Sequence, residues 1–115
     1  MKHKVVQDWH ATYEAPIHVT QGEVIVLNGR TDIWDGHLWL WAESTLGTCG
    51  WVPDSLVVWR EGRKLARYDY SAMELSCSAG DILSELWRTH GWILCRSLDG
   101  ATGWVPQANL SPLKA

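Results

Sequence analysis

Three cysteines, five histidines and nine tryptophans are the side chains of this 115-residue chain whose chemistry is worth weighing first. Cys49, Cys77 and Cys95 are odd in number and widely spaced, and no Cys-x-x-Cys occurs, so zinc and thioredoxin-like chemistry both fail on spacing. They read as reduced, cytosolic thiols serving as small apolar residues, and no local Cys/His arrangement supports a nucleophile. His3, His10, His18, His37 and His90 are scattered. No Ser-His-Asp ordering and no phosphate-cradling glycine loop is present, so neither enzyme activity nor a cofactor or metal is expected. The indoles remain. Nine Trp and three Tyr stand against no Phe, and Trp joins a large apolar face to an N–H donor, which suits contact surfaces as well as cores. The chemistry on offer is recognition.

Composition narrows the partner. A formal net charge of −3 argues against a nucleic-acid footprint or a polybasic membrane anchor. The start, Met1-Lys2-His3-Lys4, leads into neither an apolar stretch nor a cleavage site, so a cytoplasmic protein with no membrane contact is expected. A protein or peptide partner is left.

The elements that must position the indoles come from an internal repeat. Trp39-Leu40-Trp41-Ala42-Glu43-Ser44, followed by Gly47-x-x-Gly50-Trp51-Val52-Pro53, recurs 53 positions on as Trp92-Ile93-Leu94-Cys95-Arg96-Ser97 and Gly100-x-x-Gly103-Trp104-Val105-Pro106. Upstream, Gly22-Glu23 pairs with Gly80-Asp81 at a shift of 58, and Val5-Val6-Gln7-Asp8-Trp9 with Ala66-Arg67-Tyr68-Asp69-Tyr70. The chain divides into two copies, residues 1–60 and 61–115, with Trp59-Arg60-Glu61-Gly62-Arg63 as the one candidate linker. Runs such as Val24 to Leu27, Leu38 to Ala42 and Val57 to Trp59, bounded by Asn28-Gly29, Asp35-Gly36 and Asp99-Gly100, signal β-strands. No helical periodicity extends over ten residues. About five short strands per copy fit a small barrel.

Copy two resembles the SH3 domain family. Ala66-Arg67-Tyr68-Asp69-Tyr70 is similar to its ALYDY stretch, Glu74-Leu75-Ser76-Cys77-x-x-Gly80-Asp81-Ile82-Leu83 to its ELSF-x-x-GD-x-L, and Gly91-Trp92 and Gly103-Trp104-Val105-Pro106 to its tryptophan pair and GYVP. Copy one follows through the repeat. The resemblance implies an all-β chain of two consecutive five-stranded SH3-like barrels joined by a very short linker, of the variant type known from bacteria. The first has the longer n-Src-type loop and the second a short RT-type loop. It also implies a peptide groove in each copy for an extended, proline-rich segment. In copy two that groove comprises Tyr68, Tyr70, Trp92, Trp104 and Pro106, with Glu74 the single specificity-loop carboxylate and Asn109 where the family's last groove Tyr stands. In copy one it comprises Gln7, Trp9, Trp39, Trp51 and Pro53, with Leu56 in the Tyr position. Strand alternation independently puts Trp92 and Trp104 outside if Ile93, Cys95 and Val105 form the core.

Several residues bear on alternatives. Trp41 shares the outer face with Trp39, so Trp34, Trp41 and Trp59 are candidates for an interface, either with the other copy or in a homo-oligomer. Trp59 is expected near the junction of the two copies. Assembly through aromatic faces and cell-wall glycan binding stand as the other functional readings. Asp8 and Asp69 are expected to make structural backbone hydrogen bonds. Glu85 falls where an inward apolar residue belongs, so either Leu86 turns in at a bulge or the register is off by one.

Overall fold

Branched and aromatic runs separated by turn residues form twelve strands and two 3-10 turns in a computed structural model that describes residues 1–12 and 16–113. The strands are β1 (Lys2–Val5), β2 (His18–Val19), β3 (Val26–Trp34), β4 (His37–Glu43), β5 (Cys49–Pro53), β6 (Val57–Arg60), β7 (Arg63–Ala66), β8 (Tyr70–Ser71), β9 (Ile82–Thr89), β10 (Trp92–Arg96), β11 (Thr102–Pro106) and β12 (Leu110–Pro112). The 3-10 turns, Asp54–Leu56 and Gln107–Asn109, link β5 to β6 and β11 to β12. Among the described residues no helix is long and apolar enough to cross a membrane.

Tight turns set the hairpins. Asp35-Gly36, Glu61-Gly62 and His90-Gly91 each place two successive residues at positive φ, the type I′ arrangement whose twist matches that of paired strands. Asn28-Gly29 does not turn the chain. Gly29, at φ 86°, lies in an irregularity of β3 between Leu27 and Thr31. The insert from Asp32 to His37 lengthens the β3–β4 hairpin by paired strand, with Asp32 opposite Trp39 and Ile33 opposite Leu38, so the long loop expected there is ladder.

Chain contacts divide the molecule into a split unit, Met1–Glu14 with Met73–Ala115, and a continuous unit, Ala15–Ala72. The boundary read from the repeat, at residues 60 and 61, falls instead inside the β6–β7 hairpin, where Arg60 faces Arg63. The presumed linker is a two-residue turn. A strand tied to β6 by two residues can only fold back beside it, so β7 takes the place next to the last strand of copy one. β1 pairs instead with β9 and β12 of copy two.

The split unit is a sheet of order β11-β10-β9-β1-β12, all antiparallel. Its core is Val5, Leu75, Cys77, Leu83, Ile93, Cys95, Val105 and Leu110, with Trp9 packed against it. The end strands β11 and β12 share no ladder, so the expected barrel is an open sheet in its hydrogen bonding. The continuous unit has ladders β3-β4-β5, β6-β7 and β2-β8. Its Ile17, Val19, Ile25, Ala42, Val52, Leu56 and Ala66 are buried.

The exchange repeats bond for bond. The Asp8 carboxylate accepts from the backbone N–H of Ala79 at 2.7 Å, and Asp69 from that of Gln21 at 2.7 Å. Val6 N–H donates to Asn109 O at 2.8 Å, and Arg67 N–H to Leu56 O at 2.7 Å. Each aspartate thus secures the turn of the opposite copy, in the structural role expected of it.

Glu85 meets a polar environment. β9 bulges between the partners of Leu94 and Cys95, which puts Glu85 opposite Cys95, while Leu86 is 44% exposed and does not turn in. The carboxylate accepts from His3 Nε2 at 2.6 Å and from Arg88 Nε and Nη2 at 2.8 and 2.7 Å. His3, buried to 1% exposure, comes from β1, so this cluster ties the exchanged strand into its sheet. The Arg88 hydrogen bonds, with help from His3, hold the Glu85 carboxyl at about 2 against an ordinary 4.5. The thiol of Cys95 is pushed up to about 12 by burial and that of Cys77 is raised for the same reason, which suits inert core positions; Cys49 is exposed.

Two measurements test this architecture. Amide exchange should accelerate at Ala79 but not Gln21 in Asp8→Ala, and at Gln21 but not Ala79 in Asp69→Ala; the opposite assignment would mean that each copy keeps its own first strand. A carboxyl with a depressed folded value stabilises above its unfolded titration and loses that contribution as pH falls toward the folded one. Glu85→Gln should therefore cost about 1–3 kcal/mol near neutral pH and flatten the acid limb of stability between pH 4.5 and about 2. An acid limb unchanged in slope would remove the role given to this cluster.

Candidate functional site

Each unit carries an aromatic face on the side of its sheet away from the core. In the split unit Ile93, Cys95 and Val105 point inward, leaving Trp92, Leu94, Trp104 and Pro106 on the other face. Trp92 lies opposite Pro106 and meets Trp9 edge-on at 5.5 Å between ring centroids. The Trp9 indole N–H donates to Glu74 Oε1 at 3.0 Å, and the Thr12 hydroxyl donates to Oε2 at 3.1 Å. Glu74 is thus engaged with its own unit. Asn109 is buried, and its amide donates to the carbonyls of Gln7 and Asp8 at 3.2 and 3.1 Å. The position the resemblance gives to a groove tyrosine is here a clamp on the exchanged segment.

Trp104 corrects an expectation. Alternation puts it on the outer face, yet it is only 5% exposed. Trp87 packs against it at 5.7 Å, and the segment 73–75 runs alongside: Trp104 N–H donates to Met73 O at 2.9 Å and Leu75 N–H to Trp104 O at 3.0 Å. Gly103 makes this approach feasible, since a Cβ there would lie 2.6 Å from Leu75 N.

In the continuous unit Trp39 lies opposite Pro53, and Trp41 opposite Trp51. Trp41 and Trp51 contact edge-on at 5.2 Å. The guanidinium of Arg30 lies over both rings, 4.8 Å from the Trp41 centroid and 5.4 Å from that of Trp51. Trp39, Trp41, Trp51 and Tyr68 are half-buried, whereas Tyr70 and Pro53 are buried and Leu56 belongs to the core. The Tyr68 hydroxyl and Ser55 Oγ are 3.2 Å apart, joining the ALYDY-like segment to the turn after Pro53. Burial raises the Tyr68 phenol above its ordinary value.

The expected grouping is therefore recombined. Tyr68 and Tyr70 fall in the unit that holds Trp39, Trp51 and Pro53, while Trp9 falls with Glu74, Trp92, Trp104 and Pro106. The β6–β7 turn is the cause. Trp59, expected at a junction, is 64% exposed, with the Lys64 ammonium 5.0 Å over its ring. Trp34 is 44% exposed on the β3–β4 hairpin, opposite His37. Arg30 and Ser55 escaped the sequence reading. Arg30 sits next to Asn28-Gly29, whose turn signal marks the irregularity in β3 that carries it; Asn28 Oδ1 accepts from Arg30 N–H at 2.9 Å. Among the described residues no cluster of three or more His, Cys, Asp or Glu could hold a metal ion.

These positions separate structural indoles from surface ones. Trp104→Ala should lower unfolding stability by about 3–5 kcal/mol, and Trp34→Ala by about 1 kcal/mol or less, in chemical denaturation. Equal costs would contradict the burial of Trp104.

Residues 2–59, half of the chain, match the family model described as the variant SH3 domain. No curated protein and no solved structure matches the chain. The matched stretch is one copy of the repeat in sequence, and its β1 and its β2 to β6 lie in different units. On this match the chain belongs to the variant SH3 domain family, whose domains are in general protein-interaction modules without catalytic activity.

Proposed function

We propose that this protein is a non-enzymatic binding module whose continuous unit takes an extended, proline-rich peptide on the face formed by Tyr68, Trp39 and Trp51. The observation that carries this reading is the recombination itself. The tyrosines of copy two stand in one unit with the tryptophans of copy one, and Tyr68 is joined through Ser55 to the turn following Pro53. A polyproline II helix has three residues per turn and no internal hydrogen bonds, so its ridges fit between rigid rings while its carbonyls seek donors. Half-buried aromatic rings beside buried Pro53 provide such a surface at low entropic cost. The split unit supports this less well: Gln7 and Asn109 replace two aromatic positions, Trp104 is covered, and the Trp9 donor is spent on Glu74.

Assembly is a second reading, favoured by the cross-strand pair Ile33 and Leu38, which are 71% and 39% exposed beside Trp34. A proline-rich peptide titrated by NMR distinguishes the two. Trp39→Ala should weaken binding about 30-fold, the effect of a hot-spot residue, with Trp92→Ala close to wild type. Loss confined to Trp92→Ala would overturn the assignment to the continuous unit. No peptide binding, together with a size in solution that rises with concentration and falls on Ile33→Asp, would replace it with assembly.

A further inference from the structure

Arg30 is the cation of the proposed face. Its guanidinium carbon lies over both the Trp41 and Trp51 rings, which meet edge-on at 80°, while the residue remains exposed. The contact is with aromatic rings and supplies the five N–H donors of the group with no oxygen acceptor. Among the described residues the ion pairs are those of Glu85 with His3 and Arg88, and Arg30 takes part in none. The backbone N–H of Arg30 donates to Asn28 Oδ1 at 2.9 Å. Asp32, which shares the outer face, directs Oδ1 to the backbone N–H of Ile33 at 2.9 Å. The two rings thus hold a guanidinium fork in position with no carboxylate in it.

The corresponding row of the split unit, Trp87–Leu94–Trp104, is uncharged. Peptides that pair a basic residue with an acidic loop would meet a like charge at Arg30. A carboxylate placed beside the proline-rich core would meet an opposite charge whose planar N–H donors can bind it bidentately, a strong charge-assisted pairing.

We infer that the ligand of the continuous unit carries an acidic side chain, Asp or Glu, beside its proline-rich core, and that Arg30, held over Trp41 and Trp51, receives that carboxylate. This rests on the peptide-binding reading of the same face and adds the charge of the partner to it.

The experiment titrates the full chain with three peptides of one proline-rich core, flanked by Glu, by Ala or by Arg, at low and high salt. The Glu peptide should bind about tenfold more tightly than the Ala peptide at low salt, with the margin shrinking as salt screens the pair. Arg30→Gln should erase the margin between the Glu and Ala peptides, and Arg30→Glu should reverse the order in favour of the Arg peptide. Arg30→Lys keeps the charge without the planar fork and should retain a smaller margin. Equal binding of all three peptides, or preference for the Arg peptide by the wild type, would overturn the inference and leave the groove standing. No binding of any peptide would remove both. An Arg30→Gln protein that loses the Ala peptide too would show Arg30 to be a support for the rings and not a receptor.

Discussion

A turn of two residues, Glu61-Gly62, constrains everything downstream of it. With both residues at positive φ, the chain leaving β6 reverses at once and β7 must lie beside it. The first strand of an SH3-type fold belongs next to its last strand, so β7 fills the place that β1 would hold had the copies folded separately. β1 satisfies its backbone groups on β9 and β12 instead. An unpaired strand of this kind is not an option, because Val5 belongs to a buried core and buried amides need partners.

The exchange shapes the surfaces. Each aromatic face is built from one copy's tryptophans and the other copy's ALYDY-like segment, so its composition is set by the topology and not by either repeat. One unit receives two tyrosines, one of them half-buried at the surface. The other receives Gln7 and Trp9, with Trp9 committed to Glu74. The two faces have thereby diverged, one with a cation resting on paired indoles and one with a neutral aromatic row.

Polar side chains hold the exchanged strands with directional bonds where apolar packing would accept either copy. Asp8 and Asp69 each cap a turn of the opposite copy, Asn109 clamps the carbonyls of Gln7 and Asp8, and the His3–Glu85–Arg88 cluster grips β1 from β9. Glu85 in a bulge is the costliest member, a carboxylate on the core side of a sheet that is tolerated because three donor atoms surround it.

Strand content, the repeat, the family and the roles of Asp8 and Asp69 were legible in the residues, because each depends on local pattern or on motif order. The alternation that places Ile93, Cys95 and Val105 inside is likewise a local property of a strand. Which first strand joins which sheet was not legible from the repeat, since Val5 and Ala66 head interchangeable segments, although the shortness of the connection held the answer in its turn geometry. The burial of Trp104 depends on a segment thirty residues earlier and on Trp87 across a bulge, and the posture of Arg30 on an irregularity in β3. Both are set by contacts distant in the chain, which a one-dimensional pattern does not encode. The amino acids alone thus determined what kind of sheet could form and which rings were available, and the three-dimensional fold decided which rings share a face, because two residues at one turn allow a single direction of return.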